Sequence, residues 1–240
     1  MILQACINGS RTKQEHYGVP VTLDEIKKDA MECVEAGAAE LHIHPRTIEG
    51  VESLSSVDGT IEAIRNICPG TLIGVSTGSW IMANAESTKK AIAAWEIKPD
   101  YASVNLSEED APEIINLLHG KNIGIEAGLS TIEDAERLLG LCSRDKIFRV
   151  LIEIEEQKIP LANKVALEII ALLKGSGLNK QILLHGFDST AWHFVKMARE
   201  LKLSSRIGFE DCLFGPLDDE VTTNADMVKA AFNILHQSHL

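Results

Sequence analysis

A (β/α)8 barrel, an α/β fold, is predicted by three features of this 240-residue sequence. Short β-rich apolar runs alternate with amphipathic helical stretches eight times, at about 30 residues per repeat. The runs are apolar at successive positions, as parallel strands covered by helices must be. Polar side chains then gather where each run stops. The alternative, an open doubly wound sheet, would want G-x-G-x-x-G after its first strand, and Asn8-Gly9-Ser10-Arg11 does not supply it.

The elements follow in order. The first strand is expected over Leu3–Asn8 and the first helix over 22–36. Thr22 with Glu25 three residues on forms a capping box that opens this helix, and Gly37 stops it. The next units are Glu40–His44 with 57–67, Leu72–Ser76 with 86–95, and Tyr101–Val104 with 110–119. Strand Ile123–Glu126 leads to helix 131–140, where Glu133 and Asp134 suit the positive end of the helix dipole. Phe148–Ile152 precedes 161–174, with Gly140 and Gly175 as stops for the fifth and sixth helices. Gln181–Leu184 with 189–201 and Ser205–Gly208 with 222–236 complete the set. No linker or strong internal repeat interrupts it, so residues 1–240 are read as one barrel domain with short loops.

The balance of 23 Lys and Arg against 35 Asp and Glu gives a formal charge of −12. That excludes the basic grip a nucleic acid partner requires. The longest apolar stretches, such as Val165–Leu173, are broken by charge at Glu168 and fall short of the roughly 20 residues of a membrane span. Met1-Ile2-Leu3-Gln4 lacks the basic start and long apolar run of a secretory signal. Cysteines 6, 33, 68, 142 and 212 are odd in number and contain no CxxC, the pattern of thiols in a reducing cytoplasm. A cytoplasmic homo-oligomer is expected, because partner copies would cover the helix faces of so short a barrel.

The active site of such a barrel lies at the C-terminal ends of its strands. Here those ends carry Asn8, His42-Ile43-His44-Pro45-Arg46, Ser76-Thr77-Gly78, Ser103-Val104-Asn105, Glu126, Glu153, His185 and Glu210-Asp211. All eight deliver polar side chains that a packed core would not tolerate unpaired. His42 and His44 stand two apart on a strand and so project to the same face, the geometry for one metal ion. Two histidines and a carboxylate leave a position open for substrate. Glu210 is the candidate third ligand, since the eighth strand closes beside the first; Glu126, Glu153 and His185 are the alternatives. Zinc is the first choice, and Fe, Mn or Co suit the same donors. Such a metal acts as a Lewis acid toward a carbonyl and its enolate. Asp211, near Arg206, is a candidate general base. Ser76, Thr77 and Ser103 are hydroxyls suited to substrate oxygens, and no G-x-S-x-G marks a serine nucleophile.

These residues resemble the β-keto acid cleavage enzyme family. The matching pieces are Ala5-Cys6-Ile7-Asn8-Gly9, Val19-Pro20-Val21-Thr22, Glu35-Ala36-Gly37-Ala38, Leu41-His42-Ile43-His44-Pro45-Arg46, Val75-Ser76-Thr77-Gly78, Pro99-Asp100-Tyr101-Ala102-Ser103-Val104-Asn105 and Arg206-Ile207-Gly208-Phe209-Glu210-Asp211. The resemblance implies a (β/α)8 fold in oligomers with one zinc per subunit. It implies metal ligands at His42, His44 and Glu210, a general base at Asp211 with Arg206 as partner, and substrate contacts at Ser76, Ser103 and Glu126. The implied reaction condenses a β-keto acid with acetyl-CoA and releases acetoacetate and a new CoA thioester. A metal-dependent aldolase or lyase without CoA is the alternative. Members that act on an amino-bearing keto acid carry an acid just after the first strand's glycine. Arg11 stands in that place here, so a neutral or anionic tail is expected. Acetyl-CoA is a polyanion that a −12 chain should repel, so Arg11, Lys13 and Arg46 are the expected local counter-charges.

Overall fold

A computed structural model describes residues 1–236. These residues form eight strands, all parallel, in the order β7-β6-β5-β4-β3-β2-β1-β8. The strands are β1 Leu3–Cys6, β2 Glu40–Ile43, β3 Leu72–Ser76, β4 Tyr101–Asn105, β5 Gly124–Leu129, β6 Arg149–Ile154, β7 Gln181–Gly186 and β8 Ser205–Ile207. A parallel bridge from Leu183 to Ser204 brings β7 against β8, so the sheet closes on itself as the barrel reading expects. The helices are α1 Leu23–Glu35, α2 Val57–Ile67, α3 Ala85–Ala94, α4 Ala111–Gly120, α5 Ile132–Gly140, α6 Ile159–Gly175, α7 Ala191–Glu200 and α8 Asn224–His236. The Thr22–Glu25 capping box is present at α1, and Thr131 with Asp134 builds a second at α5. Helix α6 begins two residues before its expected start because Pro160 fits a first turn. Among the described residues, no helix is long and apolar enough to cross a membrane.

Alternation along each strand divides the core in two. Leu3, Ala5 and Ile7 belong to the apolar layer between barrel and helices, with Leu41, Ile43, Ile73 and Val75. On the alternate positions, Gln4 meets Tyr101 of β4, and Cys6 and Asn8 meet Asp211 and His44 just past the ends of β8 and β2. The lower interior holds an ion-paired cluster instead of the usual aliphatic layers. Arg149 is fully buried, pairs through Nε with Glu126 and lies 2.5 Å from Glu40. One guanidinium thus serves two carboxylates. Burial raises the pKa of Glu40 even with Arg149 beside it, whereas Arg149 and His42 overcome the burial of Glu126 and hold it low. Tyr101 lies beneath the guanidinium, 4.5 Å from ring centroid to Cζ. Its hydroxyl donates to Leu41 O at 2.8 Å and accepts from Gln4 at 2.8 Å.

That ring packs on Gly74, where a Cβ would overlap it. Gly74→Ala should therefore cost about 1–3 kcal/mol, because two hydrogen bonds at its hydroxyl prevent the retreat of Tyr101. A urea midpoint unchanged from the native protein would refute this. A second test concerns Asp29 on α1. Burial lifts its carboxyl to about 7, although Asn224 donates to it at 2.7 Å. The fold then keeps a proton that the unfolded chain loses near pH 3.8, so stability drains away as pH rises through about 7. Between pH 5 and pH 8 the native protein should lose roughly 1–4 kcal/mol relative to Asp29→Asn. Parallel urea curves at the two pH values would contradict that.

Candidate metal centre and active site

Above the Arg149 cluster the barrel opens into a cavity of about 340 Å³ at the C-terminal ends of the strands. His42, His44, Ser76, Ser103, Asn105, Arg206 and Glu210 line it, with Arg11, Glu15, Trp80, Glu153, Phe187 and Asp188 toward the rim. His42 sits on β2, opposite Cys6 of β1. The β1 ladder ends at Cys6 because the Asn8 side chain takes over from the backbone. Its Oδ1 accepts from His44 N at 2.9 Å, and its Nδ2 donates to His44 O at 3.0 Å. Gly9 then turns the chain at φ +54°, and a Cβ there would lie 2.5 Å from Glu210 Cγ. Glycine therefore supplies both the left-handed turn and the room for Glu210. Beyond β8 the backbone of Phe209 is held by Asn224, whose Oδ1 accepts from its N–H at 2.6 Å.

Among the described residues, His42, His44 and Glu210 form the one cluster of three such donors suited to a metal, with ligand atoms within 4.8 Å of one another. The two Nε2 atoms are 3.4 Å apart. Glu210 Oε2 lies 3.9 Å from His42, and Oε1 lies 3.6 Å from His44. A tetrahedral ion with bonds of about 2.1 Å needs ligand spacings of about 3.4 Å, so the donors fit with small adjustment. Glu210 Oε2 is buried without a hydrogen-bond partner, a lone pair directed at the same space. Burial, reinforced by Arg206 and His44, pulls His42 down to about 4, so this ring is a neutral donor near pH 7. Burial also disfavours charge on His44, but Glu210 and Glu52 outweigh it and raise that ring to about 9. A cation between the rings would displace this proton.

Arg206 fixes the two acids that follow it. Its Nη2 lies 2.8 Å from Glu210 Oε1 and 2.9 Å from Asp211 Oδ1. Its charge holds both carboxyls below their ordinary range despite burial. Asp211 is fully enclosed, behind the cavity wall, and also accepts from the Cys6 thiol at 2.8 Å. His185 Nδ1 is 3.4 Å from Asp211, and its Nε2 is 3.6 Å from Glu153. Burial and Asp211 raise the Cys6 thiol, which stays a neutral donor.

Not every expected residue reaches the cavity. Glu126 lies below it with Arg149, because β5 runs on to Leu129 and Glu126 is not at a strand end. Thr77 is buried and donates to Ser103 O at 2.7 Å. Arg46 is spent on the carbonyls of Gly9, Arg11 and Gly50. Arg11 does line the cavity, but Asp188 matches its charge at 2.6 Å; Lys13 pairs with Glu25 at 2.8 Å. Cys6 was legible in the inward alternation of Gln4, Cys6 and Asn8. Glu52 and Trp80 come from loops whose path no periodicity reveals.

A family model described as β-keto acid cleavage enzyme matches residues 1–159. The 3-keto-5-aminohexanoate cleavage enzyme of Acetoanaerobium sticklandii is 31% identical over 108 residues, covering 44% of this chain and 38% of that protein. The enzyme of the same name from Fusobacterium nucleatum is 32% identical over 109 residues, covering 44% and 39%. The matched segment thus spans well under half the length of these curated relatives. In fold, the chain is similar to ObcA in its ternary complex with a C4-CoA adduct and oxalate. The TM-score is 0.71 at 15% identity, covering 91% of this chain and 64% of that one. Type I 3-dehydroquinate dehydratase from Clostridium difficile gives 0.65 at 14% identity, covering 98% and 92%. With the family match extending over more than half of its length, this chain belongs to the β-keto acid cleavage enzyme family.

Proposed function

We propose that the chain is a zinc-dependent enzyme that condenses a β-keto acid with acetyl-CoA and releases acetoacetate and a new acyl-CoA. The observation that carries this reading is the donor set His42, His44 and Glu210 on the cavity wall, with Arg206 and Asp211 directly behind it. These three ligands would hold the zinc, which when bound supplies Lewis-acid stabilisation of the enolate form of the keto acid. Asp211 takes the proton from the carbon between the two carbonyls, and Arg206 keeps that carboxylate ionised and oriented. Asp211 is enclosed by Arg206, His185 and Cys6, so this role requires the substrate to displace one of these contacts and come within hydrogen-bond reach of its Oδ atoms. Ser76, Ser103 and Asn105 offer polar groups to the substrate's oxygens from the cavity wall. The carbanion attacks the acetyl carbonyl and CoA leaves as thiolate. The thiolate adds to the original ketone, and the carbon–carbon bond breaks. The proton held by Asp211 returns to the departing acetoacetate carbon. Homo-oligomeric assembly and a cytoplasmic setting belong to the same reading.

One observation favours a second reading, a metal-dependent aldolase or lyase that works without CoA. The expected counter-charges Arg11, Lys13 and Arg46 are already engaged within the chain. Metal analysis of the purified protein, followed by assays of a β-keto acid pool with and without acetyl-CoA, separates the two. Acetoacetate formed only with acetyl-CoA supports the first. Turnover without acetyl-CoA supports the second, and no turnover in either assay removes both.

A further inference from the structure

Glu52 serves two donors from one oxygen. It lies on the loop after β2, in a hairpin closed by an antiparallel bridge between Arg46 and Glu52. Its Oε2 is 3.0 Å from His44 Nδ1 and accepts from Trp80 Nε1 at 3.2 Å. Trp80, on the loop after β3, packs over Gly78, where a Cβ would overlap the indole. Its ring is nearly parallel to that of His44, at 21° with centroids 6.4 Å apart. The indole stands on the cavity rim with 56% of its surface exposed.

We infer that Glu52 is the positioning residue of the metal centre, fixing the ring orientation and tautomer of His44, and that Trp80 holds Glu52 in place from the cavity rim. The inference rests on the reading that His42, His44 and Glu210 hold a metal. A neutral imidazole carries one N–H, and the hydrogen bond at one nitrogen decides which nitrogen is free to bind. A carboxylate only accepts, so His44 Nδ1 must donate to Glu52. The lone pair of Nε2 then faces His42 Nε2 and Glu210 Oε1. Asn8 already fixes the His44 backbone, which leaves the rotation of the ring about its side-chain bonds to Glu52. His42 has no equivalent, since its Nδ1 is buried without a partner. The orientation of one histidine ligand is therefore secured from outside the ligand set, and Glu52 secures it. Partners of this kind are worth about 10- to 100-fold in metal affinity.

Trp80 also makes the arrangement visible. Trp95 and Trp192 are buried, and their N–H groups are bonded to backbone carbonyls, so an aqueous quencher reaches chiefly Trp80. The test is cobalt(II) titration of the purified protein against a competing chelator, with the visible spectrum of the bound ion, iodide quenching of tryptophan, and the melting temperature of the metal-free protein. Glu52→Ala should weaken cobalt binding by about 10- to 100-fold and alter the cobalt spectrum, while the metal-free melting temperature stays close to native. Glu52→Gln, whose amide oxygen still accepts from Nδ1, should recover most of the affinity. Trp80→Phe should weaken binding by a smaller factor, and cobalt should change the iodide quenching of the native protein but not of this variant. If Glu52→Ala binds cobalt as tightly as the native protein with an unchanged spectrum, the inference fails while the metal reading stands. If the native protein takes up no cobalt, the metal reading fails and the inference with it.

Discussion

Replacing Arg149 with methionine should destabilise the protein by about 3–5 kcal/mol, a large share of the roughly 5–15 kcal/mol that holds a typical domain folded. The guanidinium is wholly enclosed, pairs with Glu126 and Glu40, and rests on Tyr101 and Phe148. Methionine preserves much of the stem packing but leaves two buried carboxylates without a cation. Buried and unpaired, both would favour their protonated forms. Their folded pKa values would then exceed their unfolded ones, so the variant should lose further stability as pH rises. Urea unfolding at pH 5 and pH 8 measures both effects. Adding Glu126→Gln and Glu40→Gln to Arg149→Met should restore much of the loss, because no charge then remains to be compensated. A loss below about 1 kcal/mol in the single variant would show that the cluster is better solvated than its burial indicates.

The second large effect concerns the proposed chemistry, where two substitutions should separate metal holding from proton transfer. His42→Ala removes one of three donors, and the remaining His44 and Glu210 should not retain the ion through gel filtration. Turnover should then fall by on the order of 10³-fold or more, since metal stabilisation of the enolate is worth several kcal/mol. Asp211→Asn leaves every ligand in place. It should keep a native metal content and still lose about 10²–10⁴-fold in rate, the usual contribution of a positioned base. The paired readouts are metal per chain by elemental analysis and initial acetoacetate rate. A metal-replete Asp211→Asn protein with native rate would remove Asp211 from the role of base. A metal-free His42→Ala protein with native rate would remove the metal from the reaction.

The sequence by itself determined the barrel, because alternation of β-rich and amphipathic runs is a local signal that repeats eight times. Each expected strand and helix overlaps an observed one within a few residues at its ends. It also paired His42 with His44, because residues two apart share a face, but it left Glu126, Glu153 and His185 as alternatives to Glu210 for the third donor; only the closed barrel brings Glu210 to both rings. What it misjudged were strand ends. β5 runs three residues beyond Glu126, so that carboxylate belongs to the interior ion cluster instead of the cavity. The β1 ladder stops early because a side chain, Asn8, completes it.

Only the tertiary structure decided how charge is spent. Arg11 reads as a free cation in the sequence, but Asp188, 177 positions away, comes within 2.6 Å of it. Arg149 sits in an apolar strand, and nothing local says that Glu126 stands beside it on β5 or that Glu40 reaches it from β2 across the barrel. Glu52 and Trp80 meet at His44 because two loops converge, and neither loop has a period to betray its path. The physical reason is one of range. Patterning is written by the nearest few residues, whereas a buried charge is balanced by whichever opposite group the closed fold brings to it, however far away in the chain.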